Sequence, residues 1–251
     1  MSKKPNAGTE RVTATKTAFK VIEGIKALDG AGVTELARFL DLPKSTVHKH
    51  LVTLRDLGYV YTEDRQYILG YKFVNLSRTV EDRSELFRVM KPAVDTLAEM
   101  SEESAGLCVV NEHQLINIYW SDNGRSGEKE ASGGRSHDFH ASAAGKAILA
   151  QSSDEAVREC LGRNGTPERT ENTITDEHEL MNEISRIRER GIAFDREEQW
   201  ADLRSVGLPV TSGQGAEVGA IYVLGPANRM SGKRFQEDIP VMMRGVVDKT
   251  E

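Results

Sequence analysis

The stretch TELARFLDLPKSTVHKHLVTLRDL, Thr34 to Leu57, decides the fold of the N-terminal part. It divides into two short helices joined by a tight turn. The first is expected over Thr34 to Leu40, with Thr34 as N-cap, because its hydroxyl can accept a first-turn amide; Leu36, Ala37 and Leu40 form its apolar stripe. Asp41 and Leu42 make the turn. Pro43 opens the second helix, where a missing N–H costs nothing, and Gly58 stops it in a left-handed conformation. Within that helix Val47, Leu51 and Leu54 share one face and point inward. Ser45, Lys49 and Val52 point outward, with Thr46, His48 and Thr53 on the flanks. An outer N-terminal face of cations and hydroxyls suits a DNA major groove: Lys44, Ser45, Thr46, His48, Lys49 and Thr53 can hold phosphate oxygens or reach base edges.

The flanking segments extend this unit. Thr13 to Leu28 reads as an amphipathic helix with Ala18, Val21, Ile22, Ile25 and Leu28 on its apolar stripe. Tyr59-Val60-Tyr61 and Tyr67-Ile68-Leu69 read as two short strands around a polar turn, Thr62 to Gln66. Three helices followed by a hairpin make a winged helix-turn-helix, with Arg65 near the wing tip. The same fold can also serve as a protein-interaction scaffold, and Lys44 with Lys49 discriminates the two uses.

Residues 13 to 80 resemble the DNA-binding domain of the IclR family of transcriptional regulators. The resemblance rests on LPKSTVHKHLVTL, then LGYV, then the YILG that closes the wing. Asp41 departs from the family pattern, which usually has Gly there; Asp tolerates left-handed geometry, so the turn is expected to survive.

With 251 residues the chain is long enough for two modest domains, each with its own core. A hydrophobic fraction of 38% and the lack of any long apolar run fit a soluble chain that spans no membrane. MSKKPNAGTE carries no apolar signal-peptide segment, so a cytoplasmic location is expected. Cys108 and Cys160 are far apart and form no CxxC, so reduced thiols are expected rather than a metal or redox site. The net charge is −6, unevenly distributed. Residues 1–80 hold 13 Lys and Arg against 8 Asp and Glu, a balance of +5; the remainder holds 20 against 31, a balance of −11. That asymmetry fits one domain that meets phosphates and one that does not. A salt-rich cytoplasm favours an acidic, arginine-rich surface of this kind, and ordinary proteins carry it too.

Residues 1–12 read as a disordered polar tail and 13–70 as the winged domain. Over 71–100 the pattern reads as a helix from Tyr71 to Val80, a charged break, then a helix from Ser84 to Met100 kinked at Pro92; the IclR resemblance implies that this is the helical linker and dimerisation segment. The stripe of that second helix reads Leu86, Val89, Met90, Ala93, Val94, Leu97 and Met100. From 101 to 251 the pattern becomes α+β. A hairpin of Leu107 to Val110 with Leu115 to Trp120 precedes a polar, Gly-rich loop over 121–136. Helices follow over Ala141 to Gln151, Asp154 to Leu161 and Thr175 to Arg190. Strands are expected at Ile192 to Phe194, Val206 to Val210 and Val218 to Leu224, then a closing helix from Ser231 to Lys249 kinked at Pro240. Gly145-Lys146 is no phosphate loop: His140 stands at the required first Gly and Ala147 replaces the Ser or Thr.

FHASAAGKAILA, TITDEHELMNEISRIRERGIAFDREE, LRSVGLPV and AIYVLGPANR extend the IclR resemblance over most of the chain. The resemblance implies a GAF-like effector-binding domain on an antiparallel sheet, a homodimer that can pair into a homotetramer, double-stranded operator DNA and a small-molecule effector as partners, and no cofactor. It places the effector at Ala143 and Ala144 on the helix start, at Asp195 and at Ser205, with Tyr222 and Leu224 where acid-binding members often carry Ser. A helix start offers unpaired amides to a carboxylate. Asp195 could equally be a structural cap. The expected role is a ligand-responsive regulator of catabolic genes, with an organic, sugar or aromatic acid as effector. An enzyme is the competing class: Cys108 or Ser205 with His113 or His140 and Asp195 could be imagined as a nucleophile–base set.

Overall fold

The computed structural model describes residues 12–122, 137–213 and 217–250. Residues 1–11 of the expected tail and most of the polar stretch over 121–136 fall outside them. The chain divides between Val80 and Glu81 into two compact units.

The N-terminal unit contains α1 (Thr13–Ala27), α2 (Val33–Phe39), α3 (Lys44–Asp56), β1 (Val60–Glu63), β2 (Gln66–Leu69) and most of α4 (Lys72–Glu81). Its core is most of the one expected from periodicity, namely Val21, Ile22 and Ile25 of α1, Leu36 and Ala37 of α2, and Val47, Leu51 and Leu54 of α3, whereas Ala18, Leu28 and Leu40 of the expected stripes are only half-buried. Gly24 lets α1 and α2 approach, since a Cβ there would lie 3.1 Å from Leu36 Cδ2. Two boundaries shift. Thr34 is inside α2, whose N-cap is Gly32 with no side-chain cap, so the threonine does not cap the helix. Pro43 is the N-cap of α3 rather than its first residue. Asp41 adopts φ 51° and Gly58 φ 77°, the left-handed positions assigned to the turn and the stop.

The β1–β2 hairpin turns on two residues, Asp64 and Arg65, with φ of 44° and 66°. Two consecutive positive φ values characterise the tight hairpin turn whose twist matches its strands. The expected five-residue turn is therefore shorter, and Arg65 lies at its tip. α4 buries none of its residues. Its start is held by Phe73, whose ring centroid is 5.2 Å from that of Tyr59, and by Lys72, which donates to the Leu57 carbonyl at 3.0 Å.

The C-terminal unit is built on a five-stranded antiparallel sheet in the order β4-β3-β7-β6-β5. Its strands are β3 (Ser104–Asn111), β4 (Gln114–Ser121), β5 (Ala193–Arg196), β6 (Leu203–Thr211) and β7 (Val218–Pro226). Side chains alternate between faces. Leu107, Val206, Ile221 and Val223 face α5 (Glu85–Ser101) and α9 (Ile239–Val247). Cys108, Ala193, Ala220, Tyr222 and Leu224 face α6 (Ala143–Leu149), α7 (Asp154–Asn164) and α8 (Glu177–Arg190).

α5 contributes Leu86, Met90, Val94 and Leu97 to this core. Its stripe is rotated from the expected one: Phe87 and Ala98 are buried, whereas Val89 and Met100 are 38% and 54% exposed. The helix is continuous through Pro92; the carbonyl that loses its partner there belongs to the exposed Arg88. The closing helix is not uniform. A five-residue π-helical turn, Arg234–Asp238, precedes α9, and Pro240 is the second residue of α9. Proline has no N–H for the carbonyl four residues back, and a wider turn at that point absorbs the defect.

Gly207 of β6 lets the start of α6 rest on the sheet. A Cβ on it would lie 2.5 Å from the Ala143 carbonyl oxygen and 2.9 Å from the Ala144 nitrogen, both backbone atoms with little freedom to move. Gly207→Ala is expected to lower stability by about 2 kcal/mol through overpacking, seen as an earlier urea midpoint with an unchanged slope.

Candidate functional sites: the recognition helix and the sheet face beneath α6

On α3, Lys44, Ser45, His48, Lys49 and Thr53 are exposed and Thr46 is half-buried, so the packing of Val47, Leu51 and Leu54 turns the cationic, hydroxyl-bearing face outward. The Thr53 hydroxyl donates to the Lys49 carbonyl at 3.0 Å and is left to act as an acceptor. The Thr46 and Val47 amides close on the Pro43 carbonyl, so the amides of Lys44 and Ser45 stand at the helix start outside the ladder. These two donors, at the positive end of the helix dipole, suit a phosphate. Side-chain reasoning passed over them, although Pro43 was the signal.

In the C-terminal unit the strand register puts the expected effector residues in two rows on one face. Asp195, Ser205, Leu224 and Ser104 are cross-strand neighbours, and so are Gly207, Tyr222, Gly106 and Trp120. Ala143 and Ala144 lie against Gly207. Ser142 caps α6 by accepting from the Gly145 amide at 3.0 Å, leaving the amides of Ala143 and Ala144 ahead of the ladder.

Each polar group on this face has a distinct assignment. One Asp195 oxygen accepts from the amides of Glu198 at 2.7 Å and Gln199 at 3.3 Å, and the other accepts from the Ser205 hydroxyl at 3.1 Å. Asp195 therefore caps the turn after β5, and Ser205 orients it. Burial pushes the Asp195 carboxyl up to about 7, against the attraction of Lys146. Lys146, fully buried in the GKA segment, pairs with Glu198 on that same turn. Tyr222 is 1% exposed and stacks over Gly106, where a Cβ would meet its ring at 2.5 Å. With its amide oxygen toward Tyr222, Asn117 accepts the phenol at 2.8 Å and donates to the carbonyls of Leu107 and Tyr119 at 3.0 and 2.7 Å.

Sequence reasoning missed His137. Its ring is 4% exposed, packed 5.2 Å from Trp200 and 5.1 Å from Tyr222, and its Nε2 has no hydrogen-bond partner among the described residues. A buried polar atom without a partner is uncommon. Only its position just before the FHAS run could have drawn attention to it.

The nucleophile–base set does not assemble. Cys108 is buried and desolvation raises its thiol pKa far above the ordinary value. His113 lies exposed in the β3–β4 turn, the His140 Nε2 lies 3.0 Å from the Pro167 carbonyl, and Ser205 donates to Asp195 itself rather than to a histidine. Among the described residues, no cluster of His, Cys, Asp or Glu is placed to hold a metal ion, and no helix is long and apolar enough to cross a membrane.

Two family models match the chain: the IclR helix-turn-helix domain over residues 16–64 and the bacterial transcriptional regulator IclR C-terminal domain over residues 78–246. The chain is a member of the IclR family. It is a DNA-binding transcriptional regulator, not an enzyme. A relative from Halobacterium salinarum, described as the probable HTH-type transcriptional regulator ArcR, is 30% identical over 245 residues, covering 95% of this chain and 92% of its own. The Thermotoga maritima IclR structure superposes with a TM-score of 0.79 at 24% identity, covering 96% of this chain and 98% of its own. An IclR homolog from Microbacterium hydrocarbonoxydans, solved with 4-hydroxybenzoate, gives a TM-score of 0.75 at 18% identity, with 95% and 97% covered.

Burial pushes the His137 imidazole down to about 4, only partly opposed by Asp138. An unfolded histidine titrates near 6.5. The folded value is the lower, so this IclR regulator holds the full contribution above about pH 6.5 and loses it as pH falls toward 4, by about 2 kcal/mol at pH 5. His137→Phe should remove that loss, and urea unfolding of both proteins at pH 7.5 and pH 5 measures the difference in slope.

Proposed function

We propose that this IclR-family regulator is a cytoplasmic homodimer, able to pair into a tetramer, that reads two operator half-sites near catabolic genes and is switched by a small aromatic acid bound beneath α6. On the DNA side Lys44, Ser45, Thr46, His48, Lys49, Thr53 and Arg65 meet the duplex: α3 lies in the major groove and Arg65 reaches the adjacent backbone or minor groove. Support for the dimer comes from α4, which buries none of its residues and exposes Val74, Leu76 and Val80 to 49%, 46% and 67%.

The observation that carries the effector class is the buried Nε2 of His137, set among aromatic rings and without a hydrogen-bond partner among the described residues. A hydroxyl-rich sugar acid needs several free polar groups, whereas Asp195 and Ser205 are already bonded to each other and to the turn. Tyr222 and Trp200 offer flat rings and Leu224 an aliphatic neighbour, the Ala143 and Ala144 amides offer donors for a carboxylate, and His137 offers one hydrogen bond to a ring substituent. The 4-hydroxybenzoate in the Microbacterium homolog agrees with this chemistry. The effector shifts operator affinity only as far as it binds one arrangement of the regulator more tightly than the other.

Fluorescence anisotropy on genomic fragments from around the gene, over a salt series, tests the DNA half. Lys44→Glu with Lys49→Glu should abolish binding, and Lys49→Ala alone should reduce the salt slope by about one if it meets phosphate. Unaltered binding by the double variant would defeat the groove assignment. Adding 4-hydroxybenzoate, other aromatic acids, sugar acids and short keto acids to the bound complex tests the effector half. An aromatic acid should change the affinity and lose its effect in His137→Phe; a response confined to sugar or keto acids overturns the aromatic reading.

A further inference from the structure

We infer that Glu217 is the positioning residue through which the C-terminal unit clamps the linker to the DNA-binding unit. The chain passes between units at Val80 and Glu81, and α5 begins only a few residues later, at Glu85. A helix start has free amides and frays unless they are satisfied. At α5 two of them are taken by a linked pair of side chains. Ser84, the N-cap, accepts from the Phe87 amide at 3.1 Å and donates its own hydroxyl to Glu217 Oε2 at 3.1 Å. The same carboxylate oxygen accepts from the Leu86 amide at 2.9 Å. A carboxylate at this end is also favoured by the helix dipole.

Glu217 lies more than a hundred residues away, just before β7, and is itself held. Its amide donates to the Ser212 hydroxyl at 3.1 Å, and the Ser212 amide donates to its carbonyl at 3.0 Å. An apolar contact reinforces the polar one. Gly219 has no side chain where a Cβ would lie 2.6 Å from Leu86 Cδ2, so the fully buried Leu86 seats on β7 two residues beyond the clamp. β7 then continues to Tyr222 and Leu224, the wall of the effector site. One strand thus carries the residues beneath α6 and follows directly on the residue that fixes the first turn of α5.

Release of Glu217 lets the first turn of α5 fray, which adds about four residues, or about 10 Å, to the linker. A longer and looser tether lowers the effective concentration of the second winged unit at its half-site without altering either unit. The inference rests on the dimeric operator reading above.

The test uses the full-length protein as wild type, Glu217→Ala, Glu217→Gln and Ser84→Ala. Hydrogen exchange is followed at residues 84–88, and anisotropy on three duplexes: the operator found in the genomic survey, a single half-site, and the operator with two base pairs inserted between half-sites. Glu217→Ala should speed exchange at Leu86 and Phe87 and weaken operator binding by about tenfold. Half-site binding should stay within twofold, and the penalty for the insertion should shrink. Glu217→Gln keeps an acceptor and should lie between the two, and a double variant combining Ser84→Ala with Glu217→Ala should bind little more weakly than Glu217→Ala alone because the pair acts as one unit. Equal losses on operator and half-site, or unchanged exchange with unchanged spacing dependence, overturn the clamp. Wild-type protein that does not distinguish operator from scrambled DNA sinks the dimeric reading instead, and faster exchange at Leu86 in Glu217→Ala would then still establish the contact.

Discussion

The C-terminal unit depends on one backbone-to-backbone contact, the peptide of Ala143 and Ala144 lying on Gly207. Nothing larger than hydrogen fits there. Because α6 sits that low, its lysine is carried into the interior, where Lys146 needs a buried counter-charge and finds Glu198. An unpaired buried charge is costly, so the turn that presents Glu198 has to be fixed as well. Asp195 does this through two backbone amides, and Ser205 fixes Asp195. A glycine on β6, a helix, an ion pair and a capped turn are thus one arrangement, and removal of any member disturbs the others.

This dependence explains the division of labour on the sheet face. The positions that resemblance assigned to the effector include groups whose hydrogen bonds are already internal, namely Asp195 and Ser205. What the proposed effector site would offer a ligand is aromatic surface, two helix-start amides and one imidazole nitrogen. Tyr222 takes up space where acid-binding members often carry Ser, and Gly106 with Asn117 holds it in one orientation.

The legible parts of the chain were those governed by local rules. The inward face of α3, the left-handed Asp41 and Gly58, and the antiparallel sheet follow from periodicity and turn chemistry, which act over a few residues. Errors arose where distant segments decide. The stripe of α5 is rotated because β3, β7 and α9 together set which side is inside, and the strict spacing template could not distinguish Val89 from Phe87. Thr34 lost the capping role because Gly32 already starts α2. The π-helical turn before Pro240 needed the length of the closing helix to be known. His137 and Glu217 were invisible for the same reason. One matters through rings contributed from β7 and from the Trp200 segment, the other through a helix start more than a hundred residues away, and neither stands in any motif.

The wing tip has a further consequence. Asp64 and Arg65 both hold positive φ, a conformation that costs an L-residue energy and glycine almost none. Glycine at position 65 would relax the backbone but remove the cation at the tip, the one proposed to meet DNA. Asparagine, next best for the backbone, is neutral. The hairpin therefore cannot be optimised for its own stability and for polyanion attraction at the same position. Either substitution that eases this turn therefore leaves its tip without a positive charge.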